Sequence, residues 1–210
     1  MTGFVLALAG ASFSYGPAIG AAYGGGYFAG QISTAGTGVA NYNLVVAPVS
    51  SGQSSKQWKT VSTSTAGTSS VIDGPTNSSN MNNATHPAAQ FCEGLSIGGF
   101  SDWYMPAKNE LEVCYYNLKP TTAANNTSSG TNTNAVPSRG SNYTSGTPAQ
   151  TSATDFKNTG TEDFTTTNYW SSTENLAPSA WRQTFGDGGQ GGNSYKENVF
   201  YVRAVRRIAV

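Results

Sequence analysis

Apolar residues along this chain gather in short runs set between long polar stretches. Residues 27–32 and 42–49 read as β-strands, the second carrying Leu44, Val45, Val46 and Ala47 and closed by Pro48, which cannot continue a ladder. Residues 50–83, rich in Ser, Thr, Gly and Asn, read as a loop with Trp58 as an aromatic anchor and Asp73-Gly74-Pro75 as a turn near its end. The period then changes. Thr85, a potential N-cap, precedes His86 and Pro87, and Ala88, Ala89, Phe91, Cys92 and Leu95 recur at helical spacing up to Gly98-Gly99. Pro106 opens a second helix, in which Leu111, Cys114, Tyr115 and Leu118 share one stripe until Pro120 ends it. Residues 121–167 show no period, with Val136, Tyr143, Phe156 and Phe164 as scattered anchors, and so long a loop in a compact domain is expected to serve function or assembly. Strand-like runs return at 168–172, 180–185 and 200–208. In the middle one Trp181, Gln183 and Phe185 alternate with Arg182 and Thr184, sending the two sets to opposite faces, and the glycine-rich stretch 186–192 reads as a presented loop.

Length and charge narrow the classes. A chain of 210 residues fits one domain of ordinary size. Lys plus Arg and Asp plus Glu number 11 each, so the formal net charge is zero, and a nucleic-acid partner bound by phosphate neutralisation is not expected. Charged residues make up only 10%, which leaves solubility to Ser, Thr and Asn, while 4 Trp, 11 Tyr and 9 Phe supply a core that disordered chains lack. The apolar run from Phe4 to Ala9 has no Lys or Arg near it, since the first basic residue is Lys56, and it falls short of the ~18–20 residues of a membrane span. Neither an export signal nor membrane insertion is expected. Residues 1–26, neutral and glycine-rich, read as an assembly or anchoring segment, or else as an edge strand of the domain that follows at 27–210, whose long insertion lies at about 120–167.

Chemistry-bearing residues are sparse. Cys92 and Cys114 show no zinc spacing and are left either to pair or to stay as packed thiols. His86 is the sole histidine and stands where a structural role is expected. No nucleophile, base and orienter fall into a recognisable set, so no enzyme, no catalytic residue and no cofactor is expected. Trp103, Trp170 and Trp181 are expected as core struts, and Asp102, Glu110 and Arg203 as a structural ionic set. Asn-X-Ser/Thr triplets at Asn77, Asn83 and Asn142 are what chance gives in so Asn- and Ser-rich a chain.

Several separated motifs occur in order: Ala89-Gln-Phe-Cys-Glu-Gly-Leu95, Phe100-Ser-Asp-Trp-Tyr-Met-Pro-Ala-Lys-Asn-Glu-Leu111, Tyr169-Trp-Ser-Ser-Thr-Glu174, Ala180-Trp181 with Phe185, and Val202-Arg-Ala-Val-Arg206. Together they resemble the domain found at the C-terminus of a bacterial collagen-like adhesin and in many phage tail-fibre proteins, a branch of the C-type-lectin-like fold. The resemblance runs from about Tyr27 to the C-terminus. It implies an α+β, C-type-lectin-like fold with two short helices, small antiparallel sheets and long loops. It further implies a phage virion protein located on the tail or capsid surface: a homotrimeric tail-fibre or receptor-binding adhesin that meets a host surface glycan or protein receptor and joins other virion proteins through its N-terminal segment. A structural capsid decoration or head fibre is the alternative, and an oxidase by analogy with formylglycine-generating enzymes lacks a paired cysteine motif. Recognition in such folds falls on the C-terminal third, which nominates Asn175, Arg182, Thr184, Asp187, Gln190, Asn193 and Tyr195 as ligand-binding residues; their amides, hydroxyls and tyrosine suit adaptable contacts. The Glu-Pro-Asn, Gln-Pro-Asp and Trp-Asn-Asp triplets of calcium-dependent lectins do not occur. No metal is expected, although Glu174, Asn175, Asp187, Glu197 and Asn198 carry side-chain oxygens.

Overall fold

The structure, a computed structural model, describes residues 16–210. The apolar run at residues 4–9 and most of the expected anchoring segment lie outside the described residues. Among the described residues the ten strands are β1 (Ala22–Tyr23), β2 (Gly26–Ile32), β3 (Tyr42–Val46), β4 (Gln53–Gln57), β5 (Ala135–Val136), β6 (Asn168–Leu176), β7 (Ser179–Thr184), β8 (Gln190–Tyr195), β9 (Val199–Arg203) and β10 (Val205–Ala209). Four α-helices are α1 (Val49–Gly52), α2 (Gly74–Ser79), α3 (Pro87–Glu93) and α4 (Lys108–Leu118). The fold is thus mixed α and β with few helices.

Two five-stranded sheets carry it. The first runs β1-β2-β3-β10, with β5 paired to β2, and the second runs β4-β9-β6-β7-β8. Two expectations are corrected here. The sheets are neither small nor wholly antiparallel, because β6 and β9 meet in parallel at Tyr169 and Tyr201. The helices number four among the described residues, since α2 in the polar sequence GPTNSS and the four-residue α1 carry no apolar period that would reveal them. The run expected as one strand at 200–208 is two: Ala204 passes the chain from the second sheet to the first. Its carbonyl accepts from Ala47 N–H at 2.9 Å and its N–H donates to Gly52 at 2.9 Å, tying this crossover to the one between β3 and β4. Gly52 is required there, because a Cβ would sit 2.2 Å from that of Ala47.

The apolar stripe of α4 packs between the sheets. Leu111, Cys114, Tyr115 and Leu118 join Ile32, Leu44 and Val46 of the first sheet to Tyr169 of the second and to Phe185 just after β7, where Phe164 stacks on Phe185 at 4.0 Å. A second cluster gathers Trp58, Trp103 and Trp170 with Ala88, Ala89 and Cys92 of α3. Each of these three tryptophans donates its indole N–H to a backbone carbonyl, of Ser171, Phe100 and Lys56 respectively, at 2.9–3.2 Å. Burying the ring while bonding its polar handle fixes both position and orientation. The two cysteines lie in different clusters and are free. Asp102, Glu110 and Arg203 are structural but do not pair with one another. Asp102 takes two bonds from Arg206 at 2.7 and 2.9 Å, Glu110 binds Arg207 at 2.8 Å, and buried Arg203 binds Glu162 at 2.7 Å. The described part of the opening segment belongs to the domain, since β1 pairs with β2 and Gly20 N–H donates to Phe28.

Candidate functional site

Six of the seven nominated residues lie along the edge hairpin β7–β8 and Asn175 lies at the end of β6 beside it, and the structure separates them into two groups. The first group sits toward the tip, where the chain turns between Thr184 and Gln190. The tip is not held out. A Cβ at Gly188, whose φ is +78°, would lie 2.3 Å from the Tyr115 ring and 2.8 Å from that of Tyr143. Asp187 accepts from Gly189 N–H at 2.9 Å through its side chain and from Asn126 N–H at 2.8 Å through its carbonyl, docking the turn onto the insertion loop. Gln190 donates its backbone N–H to Ser129 at 2.9 Å and its side-chain oxygen accepts from Gly130. Arg182 lies in the space left by Gly191 and donates to Thr184 Oγ1 at 2.6 Å and to Gly189 O at 3.0 Å, while Thr184 donates to Asn168 at 2.8 Å. The expectation of a presented glycine loop is therefore corrected: its glycines admit neighbouring side chains at contact distance.

The second group sits at the open end, where β6 turns into β7 and β8 runs on toward β9. Asn175 and Asn193 touch through their side chains at 3.4 Å. Tyr195 is 63% and Leu176 58% exposed, and with Pro178, Ser179 and Asn193 they line a shallow cleft of about 190 Å³. The Ser179 hydroxyl is buried there without a hydrogen-bond partner. A methyl at Gly192 would come within 3.0 Å of Asn175 and Trp181, so glycine again serves close packing.

Trp181 departs from its expected role as a core strut. Its alternation with Gln183 and Phe185 puts it on the same strand face as those two, but at the start of α4, where Lys108 lies over the indole. The ring is half-buried under the Lys108 ammonium, 4.5 Å from its centroid. Its N–H has no protein partner among the described residues, unlike the other three tryptophans. Burial pulls the Lys108 pKa below the usual lysine value. Leu176 and Lys108 are functional candidates that sequence reasoning missed, the first because Leu-Ala-Pro reads only as a turn, the second because no local signal links it to Trp181.

Groups capable of acid–base or nucleophilic chemistry are engaged internally. His86 is buried, its ring nitrogens facing Asn83 at 2.8 Å and Thr65 at 2.8 Å, and burial, reinforced by Lys59 and Lys196, lowers its pKa to about 4. Burial raises both thiols well above their ordinary range. Glu112, fully buried, accepts from Tyr143 at 2.8 Å and from Asn132 and Arg139. Glu174 accepts from Thr65 N–H at 2.6 Å and lies 3.2 Å from the Lys196 ammonium. Among the described residues no three His, Cys, Asp or Glu side chains converge as a metal site would require, and no helix is long and apolar enough to cross a membrane.

The Lcl C-terminal domain family matches residues 49–206. No curated protein sequence matches the chain. Among solved structures, the crystal structure of a fimbrial protein from Bacteroides ovatus ATCC 8483 aligns with a TM-score of 0.44 at 17% identity, over 78% of this chain and 35% of that one. The chain thus spans about a third of that protein's length. The resemblance to phage tail fibres and a collagen-like adhesin is corrected by the family match: the family shown is the Lcl C-terminal domain, and no finding supports a phage, tail-fibre or trimeric identity. The physical reason lies in the motifs themselves. Trp103, Tyr169, Trp170, Arg203 and Arg206 are buried scaffold residues, which report how the chain folds and not what carries it. Matched over most of its length, the chain belongs to the Lcl C-terminal domain family.

Proposed function

We propose that this domain is a recognition module of adhesin type, which contacts a surface-borne ligand through the open end of the β6–β7–β8 sheet and performs no catalysis. The observation that carries this reading is the concentration of uncommitted groups at that end. Exposed Tyr195 and Leu176 flank the amides of Asn175 and Asn193, the unpartnered Ser179 hydroxyl and the free indole N–H of Trp181. Rigid aromatic area beside adaptable amides and hydroxyls is the chemistry of binding surfaces. The internal engagement of His86, the thiols and the buried carboxylates supports a binding role over an enzymatic one. A C-type-lectin-like assignment belongs to the same reading; pairing of the last strand, β10, with β3 beside β2 supports it, because it closes the first sheet with both ends of the domain.

The test is adsorption of the purified chain to arrayed glycans and to intact cells. Replacing Tyr195→Ala together with Leu176→Ser is expected to lower retention at least tenfold while leaving the melting temperature unchanged. Retention equal to the parent's would contradict the proposal. Loss of self-association without loss of retention would instead favour an assembly role for the same surface.

A further inference from the structure

The long insertion has almost no regular structure, yet it is built. Its framework is a set of buried polar side chains that bond loop backbone to α4. Asn125 accepts from Tyr115 Oη at 2.7 Å and donates to Thr144 and Pro148 carbonyls at 3.1 and 2.9 Å. Asn132 donates to Asn109 O at 2.8 Å and to Glu112, and Tyr143 Oη donates to Glu112 at 2.8 Å before accepting from Gln183 at 3.2 Å. Most of these polar atoms are paired, with Gln183 Oε1 and Arg139 Nε left without a partner, and buried networks of this kind restrain a loop.

On the outer side of this framework lies a cleft of about 230 Å³. Its floor is the Arg139 guanidinium, stacked 4.0 Å from the Tyr116 ring centroid and bonded to Glu112 beneath it. Its walls are Ser141, Asn142, Thr144 and Thr147, all exposed. Their polar groups are only partly used. Asn142 Oδ1 accepts from Thr131 at 2.8 Å and Thr144 Oγ1 accepts from Thr147 N–H at 2.9 Å, while the Asn142 amide N–H₂ and the hydroxyls of Ser141 and Thr147 have no protein partner among the described residues.

We propose that this cleft is a second binding site, separate from the open end of the hairpin, that takes a neutral polyhydroxylated ring the size of one pyranose. Three observations fix the ligand class. The volume is below the roughly 300–1,000 Å³ of pockets for drug-sized ligands, which suits a single ring. The free groups mix donors with hydroxyls that both donate and accept, matching vicinal sugar hydroxyls better than a pure acceptor. Arg139 supplies the only charge in the lining, and Glu112, with no exposed side-chain surface, already balances it, so an anion meets no net attraction.

Amide NMR of the full chain tests this, with the methyl glycosides of glucose, galactose, mannose and N-acetylglucosamine at millimolar concentration as probes and glucuronate as the anionic control. At least one neutral glycoside is expected to shift the amides of residues 139–147 saturably, and the Ser141→Ala, Asn142→Ala pair to weaken that binding at least tenfold with the remaining spectrum unchanged. Thr147→Val, which keeps the backbone bond to Thr144, is expected to weaken it as well. The site is overturned if none of the four glycosides shifts these amides, if binding survives both variants, or if glucuronate binds tenfold more tightly than every neutral probe. The Tyr195→Ala, Leu176→Ser variant is expected to bind the glycoside normally, so failure here and failure at the open end are read separately.

Discussion

The two ends of the β7–β8 hairpin are both polar and uncharged but for Asp187, and they have opposite fates. At the tip, Gly188 is pressed against Tyr115 and Tyr143, and Asp187 is bonded into its own turn and to Asn126. At the other end, Tyr195 and Leu176 stand in solvent beside Asn175 and Asn193, whose side chains meet at 3.4 Å. The difference lies in what packs outside the strand pair. The insertion covers the tip through Asn126, Ser129 and Gly130, whereas the described residues leave Tyr195 and Leu176 exposed at the far end. Glycine serves close packing at both ends, at Gly188 and at Gly192, and what differs is whether the surrounding side chains are covered.

The sharpest way to break this comparison is Gly188→Ala. The left-handed backbone and the 2.3 Å approach to Tyr115 should together cost about 3–4 kcal/mol, read as a fall in the urea midpoint. A cost below about 1 kcal/mol would mean that the tip is free after all. Next comes Glu112→Gln, which leaves Arg139 stacked on Tyr116 without its buried counter-charge. The expected loss is about 2–3 kcal/mol, accompanied by faster amide exchange across residues 129–147, where the insertion covers the tip.

A smaller, pH-dependent effect belongs to His86. Its native pKa, about 4, lies below the unfolded value of 6.5, so as pH falls below about 6.5 the unfolded chain takes up a proton that the native state refuses. Stability should decline through the window from 6.5 to 4, and above 6.5 the group should contribute no slope. In His86→Gln that part of the urea-midpoint profile should flatten. Smallest of all, Tyr195→Ala should move the midpoint by less than about 0.5 kcal/mol, as befits a side chain with no structural duty.

Local pattern exposed some of this architecture and hid the rest for identifiable reasons. Strands β2 and β3 and helices α3 and α4 are legible because their apolar positions keep a period and prolines mark the helix starts. Strand β4 is not: QSSKQ lies at a sheet edge, is nowhere fully buried, and is a strand only because β9 pairs with it. β8 was hidden by glycines that read as loop, although they are there to admit Arg182 and Trp181. Of the nominated residues, Asn175, Asn193 and Tyr195 reach the open end, whereas Arg182, Thr184, Asp187 and Gln190 are occupied within the hairpin and its covering loop. The Arg139 cleft left no trace in pattern, since Glu112 and Arg139 are 27 residues apart and the stretch from residue 121 to Arg139 has no period.

The central claim, that the open end of the hairpin and not its tip meets the ligand, is tested most directly by hydrogen–deuterium exchange on the chain bound to a retaining surface. Protection is predicted at residues 175–179 and 193–195, with 186–190 exchanging as they do in the free protein. New protection confined to 186–190, or none anywhere along the hairpin, would contradict it.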